Sequence, residues 1–277
     1  MTGSSQTTRN GAPKLPPPLD VHAHVDPNIT VAAVRQLGAY VFAMTRSLDE
    51  FDAVKDRADP RLLWGVGVHP GRTDAVNAFT QSRFRTAIDR TPLVGEVGLD
   101  ASSRVPMRQQ VHTLRGIFEV LQDTPRLVSV HSAGAQLHVI RALHLTPVDG
   151  IVLHWWTGSA ELTDEAVRLG CSFSMPPAMV SSNVLGRIPQ DRLLAETDHP
   201  DGDRRSRNPR KPGAVAEVEQ RMAERLQRSP IDMRQLFWEN LRGLVTRLNL
   251  GADFASDWHQ VLRVPTTAAA ARLRPSQ

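Results

Sequence analysis

The sequence predicts an α/β fold: a TIM-type (β/α)₈ barrel, formed as a single domain with flexible terminal tails. Two observations favour this fold. Eight short apolar runs alternate with amphipathic stretches of helical period, and the length of 277 residues suits one barrel, because such barrels take about 250 residues. The same alternation also permits an open, doubly wound sheet, which is the alternative.

Each predicted strand is a short apolar run, rich in β-branched residues and bounded by polar or turn-forming ones. Their order along the chain sets the order of the predicted barrel. The candidates are Leu19–Val21, Tyr40–Met44, Leu62–Val68, Leu93–Val97, Leu127–Val130, Gly150–Leu153, Cys171–Ser174 and Leu193–Glu196.

The segments between these runs are predicted to be helices. Ser47 is placed as an N-cap, with Glu50 three residues later for a capping box. Ser159 begins another helix, and Gly170 follows it as a C′ stop. Two further helical patterns, at about residues 214–228 and 232–248, come after the last strand.

The barrel is expected to occupy residues 19–250, between two tails of different composition. Residues 1–18 are rich in Ser, Thr, Gly and Pro, cannot bury a core and are predicted to be disordered. Residues 251–277 form a C-terminal extension, which beyond about Arg263 is expected to fray or to form a short surface helix. Because both tails differ from the barrel, they are candidate contacts for a protein partner.

Composition excludes several classes of protein. The single cysteine, Cys171, excludes an internal disulfide, and no run of about 18 apolar residues exists to span a membrane. Residues 1–18 contain no apolar stretch that could act as a signal peptide, so a cytoplasmic location is the default expectation. The net charge of +4 permits a local nucleic-acid-binding patch without establishing one, and the oligomeric state stays open.

Residues with metal-binding side chains collect where the predicted strands end. The first strand runs into His22 and His24, which point to the same side because strand side chains alternate. Later strands deliver Glu96, His131, His154 and Asp198. In a barrel these ends face one mouth, so the side chains suit one or two divalent ions. A lone histidine is more often a structural residue, but five strand ends carry such side chains here.

In order, these motifs resemble those of the TatD family of metal-dependent deoxyribonucleases, over about residues 19–248. The motifs are His22-Ala23-His24, Gly65-Val66-Gly67-Val68-His69-Pro70, Gly95-Glu96-Val97-Gly98-Leu99-Asp100, His131, His154-Trp155-Trp156-Thr157-Gly158 and Glu196-Thr197-Asp198-His199-Pro200. The resemblance implies a TIM barrel of the amidohydrolase superfamily and divalent-metal-dependent cleavage of DNA, often from a 3′ end. Many members are known only as hydrolases.

The resemblance also implies a set of ligands for two divalent ions, Mg²⁺, Mn²⁺ or Zn²⁺. His22, His24 and Asp198 would hold one ion. His131 and His154 would hold the second, with Glu96 as the bridging carboxylate. Several relatives bridge their metals with a carbamylated lysine instead. No lysine lies between Lys55 and Lys211 in this chain, which independently favours a carboxylate bridge.

Asp198 and Glu96 are the catalytic candidates in this interpretation. A metal-activated water would attack the phosphorus of the substrate. Asp198 would be both ligand and proton acceptor, or a ligand alone, and both alternatives stay open.

Other residues near the predicted mouth are candidates for contacts with substrate. His69 could donate a hydrogen bond to a phosphate or fix its own loop. Arg204, Arg205 and Arg207 lie in a basic run after Asp198, which could hold a phosphate backbone or remain a solvated loop.

The chain departs from the family pattern at residues that would touch substrate. Trp155 and Trp156 stand where Cys-Phe is usual, and one of them could stack on a base, although packing against a helix is favoured. Ala133 stands two places after His131, where a basic residue is common, and His199 replaces a small residue. The metal chemistry is therefore better determined than the substrate.

The function predicted from the sequence is a divalent-metal-dependent phosphodiesterase, a deoxyribonuclease that cleaves DNA from 3′ ends by a metal-activated water. The alternative is a metal-dependent hydrolase of a small-molecule ester, lactone or amide. A non-catalytic partner subunit is a third and weaker hypothesis, because such a subunit need not keep all six metal-binding side chains.

Overall fold

The computed structural model describes residues 15–206 and 210–262. Its eight strands are all parallel and pair in sequence order, each with the next. They are β1 (Leu19–Ala23), β2 (Tyr40–Met44), β3 (Leu62–Val68), β4 (Leu93–Gly98), β5 (Leu127–His131), β6 (Ile151–His154), β7 (Ser172–Met175) and β8 (Leu193–Ala195). Sequential order confirms the predicted TIM-type barrel and excludes a doubly wound sheet, whose strand order reverses at a switch point.

The barrel closes between its last and first strands through residues just beyond β8. The Asp198 N–H donates to the His22 carbonyl at 2.9 Å, and the His24 N–H donates to the His199 carbonyl at 2.8 Å. These two hydrogen bonds lie beside the predicted ligands, so the seam of the barrel and the candidate site coincide.

Helices cover the outside of the strands, as predicted, with one exception. The helices are α1 (Val31–Gln36), α2 (Leu48–Val54), α3 (Thr73–Asn77), α4 (Gln81–Ile88), α5 (Met107–Asp123), α6 (Gln136–Leu145), α7 (Ala160–Arg168), α8 (Ala216–Leu226), α9 (Pro230–Arg247) and α10 (Ser256–Leu262). Between β7 and β8 the expectation of a helix was wrong. Three short 3₁₀ turns lie there, at 177–179, 183–187 and 190–192, because prolines interrupt that segment.

The predicted caps form at the expected residues, with one change of partner. Ser47 Oγ accepts from the Glu50 N–H at 3.1 Å, but the Glu50 carboxylate returns to the Arg46 N–H at 2.6 Å rather than to Ser47. Ser159 caps α7, and Gly170 follows that helix with a φ of +82°. Glu50 therefore fixes the residue that leaves β2 at the mouth.

The amino-terminal end of the barrel is closed by aromatic side chains around Trp258 on α10. The Trp258 ring lies 4.7 Å from Tyr40 and 5.6 Å from Phe254, measured between ring centroids. Trp238 on α9 donates its indole N–H to the Pro17 carbonyl at 2.8 Å. Residues 15–18 and 251–262 thus pack on the barrel.

The predicted disorder of residues 1–14 and the predicted character of residues 263–277 lie outside the described residues. The domain boundaries at residues 18 and 250 stay predictions. Within the described part of the chain, no helix is both long and apolar enough to cross a membrane.

Candidate metal centre

The carboxyl ends of the strands surround a cavity of about 670 Å³. This cavity is the barrel mouth, and its wall includes most of the predicted metal-binding side chains. Those lining it are His24, Glu96, His131, His154 and Asp198. His22 lies beneath them, fully buried, with its ring stacked on that of His154 at 3.9 Å between centroids.

His22, in β1, and His24, just after it, are each oriented by a hydrogen bond on the far side of the ring. The Nδ1 of His22 lies 2.7 Å from Ser129 Oγ, and the Nδ1–H of His24 donates to the Met44 carbonyl at 3.1 Å. A carbonyl only accepts, so Nδ1 of His24 carries a proton and Nε2 is the ring nitrogen that faces the cavity. The buried Nε2 of His22 has no hydrogen-bond partner among the described residues.

Glu96, at the end of β4, occupies the centre of the cluster, and its two oxygens face different histidines. Oε2 lies 3.0 Å from His24 Nε2 and 3.8 Å from His22 Nε2. Oε1 lies 2.6 Å from His131 Nδ1 and 2.8 Å from His154 Nε2. One carboxylate between two pairs of imidazoles has the arrangement that a bridging ligand requires.

Asp198 completes the group on the β1 side. Its Oδ1 lies 3.5 Å from His22 Nε2, and its backbone has a φ of +45°, which is uncommon for a residue with a side chain. The Asp198 N–H donates to His22, and the Asp198 carbonyl accepts from the N–H groups of Asp201 and Gly202. Backbone hydrogen bonds on both sides therefore hold this conformation.

Burial and mutual charge set the ionisation of the cluster. Burial by itself raises the pKa of Glu96, but the surrounding His69, His154 and His131 hold that pKa well below its usual range. Burial lowers the pKa of His131, yet Glu96 and Asp100 together raise it to about 9. The pKa of Asp198 is raised, first by burial and then by neighbouring carboxylates. In this centre the buried carboxylate of Glu96 is therefore balanced by protonated histidines. A bound cation can replace those protons.

The donor set fits a divalent ion. Nitrogen and carboxylate oxygen atoms lie within 4.8 Å of one another in the group His22, His24 and Asp198 and in the group His22, Glu96 and His154. The unpartnered His22 Nε2 lies in both groups. Imidazole and carboxylate together suit Zn²⁺ or Mn²⁺, and carboxylates with water suit Mg²⁺.

His69 also lies at the centre, 3.4 Å from Glu96 Oε2 through its Nε2, in a third such group with Glu96 and His131. Its other nitrogen, Nδ1, accepts from the Gly71 N–H at 2.9 Å. Burial lowers the pKa of His69 to about 4. Its Nε2 faces Glu96 and the cavity, where it is a candidate both for contact with substrate and for the metal-binding group.

Two buried carboxylates that the sequence analysis did not assign support the ligands. Glu196 accepts from the Trp155 N–H at 3.0 Å and from Ser174 Oγ, and its Oε1 lies 3.7 Å from His154 Nδ1. Its signal in the sequence was a charged residue at a strand end.

Asp20, inside β1, lies under the loop that follows β8. It accepts from Thr197 Oγ1 at 2.6 Å, from the Thr197 N–H at 2.9 Å and from the Gly213 N–H at 2.8 Å. Burial raises its pKa to about 7 against the opposing effect of these hydrogen bonds. No feature of the sequence distinguishes this aspartate, because its partners are distant in the chain.

The basic run after Asp198 is less available than the sequence suggested. Arg204 lines the cavity but pairs with Asp201, and Arg210 lies 3.4 Å from Asp203. Arg205 is exposed and outside the cavity wall, and Arg207 lies outside the described residues.

The two adjacent tryptophans have different surroundings. Trp156 is fully buried, donates its indole N–H to Thr163 at 2.9 Å and contacts Phe173, so it packs as favoured. Trp155 is partly exposed on the cavity wall, with a φ of +39° and its N–H held by Glu196.

Comparison with known proteins places this site in a family. Deoxyribonuclease TATDN3 of Homo sapiens is 31% identical over 121 residues, which are 40% of this chain and 44% of that protein, so the match spans less than half of the human relative. The uncharacterized metal-dependent hydrolase YjjV of Escherichia coli is 27% identical over 211 residues, which are 66% of this chain and 79% of that protein.

Solved structures share the fold. The crystal structure of YjjV, a TatD homolog from Escherichia coli, has a TM-score of 0.69 at 20% identity and covers 82% of this chain and 96% of that one. A TatD family hydrolase from Entamoeba histolytica has a TM-score of 0.64 at 16% identity and covers 83% and 98%. The family model described as TatD related DNase matches residues 19–246, from the first strand to the end of the helix α9 region, and the protein belongs to that family.

Proposed function

We propose that the protein is a divalent-metal-dependent phosphodiesterase that cleaves DNA from the 3′ end of a single strand. The observation that carries the proposal is the position of Glu96, with one oxygen toward His22 and His24 and the other toward His131 and His154. Membership of a family described as TatD related DNase gives the reaction class, and deoxyribonuclease is the printed name of the human relative.

His22, His24 and Asp198 would hold one ion, and His131 and His154 a second, with Glu96 between them. Two divalent ions in such a site lower the pKa of a water and stabilise charge on a phosphate oxygen. Asp198 lines the cavity beside His22, so its second oxygen is placed to accept a proton from the attacking water. The Nε2 of His69 faces the same space, and as a donor it would bind a phosphate oxygen.

Trp155 favours a nucleic acid over a small neutral molecule as the substrate. A partly exposed indole on the cavity wall offers a flat surface for an unpaired base, and stacking tolerates any base sequence. The buried Glu196 accepts from the backbone N–H of Trp155 and also lies 3.7 Å from His154 Nδ1. The same carboxylate therefore positions both the exposed indole and the proposed ligand His154.

The test is hydrolysis of a short single-stranded DNA labelled at its 3′ end, with Mg²⁺, Mn²⁺ and Zn²⁺ titrated separately. Wild type is compared with Glu96→Gln and His131→Ala, and His138→Ala on the exposed face of α6 is the matched control. We expect both site variants to lose at least about 10³-fold in turnover, and the control to keep wild-type turnover.

The outcomes separate the parts of the proposal. Absence of cleavage by a protein that still binds metal, measured by elemental analysis, would reject DNA as the substrate and direct the search to small esters, lactones and amides. Absence of both metal and cleavage would reject the metal mechanism. Activity that survives Glu96→Gln would show that the bridging role is wrong.

The proton-acceptor role of Asp198 has its own experiment. Asp198→Asn keeps the shape of the side chain and one of its oxygens. An amide, unlike an ionised carboxylate, cannot take a proton from the attacking water. Loss of turnover at full metal content would support the base role. Full turnover at full metal content would limit Asp198 to ligation.

A further inference from the structure

One arginine side chain on the cavity wall has no ion-pair or hydrogen-bond partner among the described residues. Three arginines line the cavity: Arg46, Arg72 and Arg204. Arg72 pairs with Asp74 at 2.5 Å, and Arg204 pairs with Asp201. Within residues 15–206 and 210–262, the guanidinium of Arg46 makes neither an ion pair nor a hydrogen bond, so its donors are available to a ligand.

The backbone of Arg46 is fixed, although its side chain is unpaired. Its N–H donates to Glu50 Oε2 at 2.6 Å, and its carbonyl accepts from the His69 N–H at 3.0 Å. The preceding Thr45 lies so close to Gly67 that a Cβ on that glycine would be 1.7 Å from the Thr45 carbonyl oxygen. Arg46 is therefore a cation presented by a rigid turn at the end of β2.

The position of Arg46 complements the rest of the cavity wall. On the β5 side, Ser132 and Ala133 line the same cavity without charge. Arg46 is partly buried in this wall. Its carbonyl accepts from the N–H of His69, whose Nε2 lies 3.4 Å from Glu96 Oε2, so Arg46 is one backbone hydrogen bond away from a side chain at the centre of the site.

We propose that Arg46 binds an oxygen of a substrate phosphate and makes the site selective for anionic phosphodiesters over neutral lactones and amides. The inference rests on the proposed function and deepens it by naming the residue that recognises the charge of the substrate. A planar guanidinium offers paired donors that match two phosphate oxygens. A neutral substrate would leave those donors without an acceptor in a partly buried wall.

The phosphate oxygen has two possible sources, which are the phosphate being cleaved and the next phosphate along the strand. The dinucleotide dTpdT contains only the first. The same dinucleotide with an added 5′-phosphate contains both. An equal effect of an Arg46 substitution on the two substrates identifies the cleaved phosphate, and an effect confined to the longer one identifies its neighbour.

The experiment uses the full, metal-loaded chain in four forms: wild type, Arg46→Met, Arg46→Lys and the control Arg72→Met. The methionine keeps the length of the arginine stem without its charge, and the backbone hydrogen bonds of residue 46 are unaffected. Steady-state kinetics on both dinucleotides are measured beside calorimetric binding of inorganic phosphate. We expect Arg46→Met to weaken phosphate binding and kcat/KM about ten-fold or more, Arg46→Lys to restore part of both, and Arg72→Met to change little.

Equal phosphate affinity in Arg46→Met and Arg72→Met would overturn the inference, whatever the substrate proves to be. Arg46-dependent phosphate binding in a protein that leaves both dinucleotides intact would support the inference while rejecting DNA cleavage. The calorimetric measurement therefore distinguishes a failure of the Arg46 inference from a failure of the proposed DNA cleavage.

Discussion

The two ends of this barrel differ in the side chains that fill them. The amino-terminal end is closed by aromatic rings packed around Trp258, with the Tyr40 hydroxyl and the Trp238 indole N–H hydrogen bonded. The carboxyl-terminal end contains histidines and carboxylates, and two non-glycine residues there, Trp155 and Asp198, have positive φ. Three buried imidazole nitrogens at this end have no hydrogen-bond partner among the described residues. The amino-terminal end thus satisfies its groups by packing, while the carboxyl-terminal end keeps unsatisfied groups that are available to a ligand.

Trp258→Ala is expected to have the largest effect on stability without an effect on activity. Removing a fully buried indole leaves a cavity against Tyr40, Phe42 and Phe254, and should lower the free energy of unfolding by about 3–5 kcal/mol. Urea unfolding measures the loss, and turnover per folded molecule should not change. Trp258→Phe is the milder control. A fall in turnover per folded molecule would mean that the two ends are coupled.

Metal removal should act at the opposite end. Chelation with EDTA is expected to lower the free energy of unfolding by about 3 kcal/mol if the ion had been present at about 100 times its Kd. Thermal melts with and without chelator measure the effect, which should disappear in His22→Ala. The losses from chelation and from Trp258→Ala should add within about 0.5 kcal/mol, since the sites share no contacts. A clearly smaller sum would contradict independent ends.

A smaller effect, confined to binding, is expected from Trp155→Ala. Loss of one stacking surface should weaken the affinity for single-stranded DNA by about ten-fold, while the melting temperature stays close to that of wild type. Fluorescence anisotropy with a labelled oligonucleotide measures the affinity. Leu137→Ala, an exposed apolar residue of α6 outside the cavity, is the control. Unchanged affinity would show that Trp155 does not stack on a base.

The smallest effect is a pH dependence at the closed end. Asp59, before β3, accepts from Arg57 at 2.6 Å and from Trp64 at 3.0 Å. Burial opposes these bonds, but they lower its pKa below the usual range. A carboxyl with a depressed folded-state pKa stabilises the protein above its unfolded pKa of about 4, and this contribution disappears as pH falls through the folded value.

Asp59→Asn should therefore cost about 1 kcal/mol at pH 7 and less at pH 3. Urea unfolding at both pH values measures the difference. Asp56→Asn breaks an exposed pair with Arg90 and should have little effect at either pH. A loss at pH 3 as large as at pH 7 would show that the charge of Asp59 does not stabilise the fold.

The strands and the converging ligands were predictable because each depends on a short stretch of sequence. Apolar runs formed strands within one to two residues of their predicted ends, and parallel strands bring all their carboxyl ends to one mouth. Pro176, Pro177 and Pro189 indicated that the segment before β8 is not a regular helix. A helix was predicted there because helices were expected between all the strands.

The supporting residues were not predictable, because their roles depend on partners far away in the chain. Asp20 meets Thr197, and Glu196 meets Trp155 and Ser174, only once the strands are adjacent. The basic run after Asp198 was the more obvious source of cations in the sequence, but Arg204 pairs with Asp201 and Arg210 lies 3.4 Å from Asp203. Arg46, whose side chain is unpaired among the described residues of the cavity wall, has no basic neighbours in the sequence, so charge density gave no signal.

The hydrogen bonds across the seam between β8 and β1 have a consequence for biosynthesis. Asp20 and Thr197, which they help to join, are 177 positions apart in the sequence. The group of His22, His24 and Asp198 consequently does not exist in a nascent chain until the eighth strand has emerged and docked on the first. A chain truncated before β8 would lack that group, so the group can form only after nearly the whole barrel has been synthesised and its last strand has docked on its first.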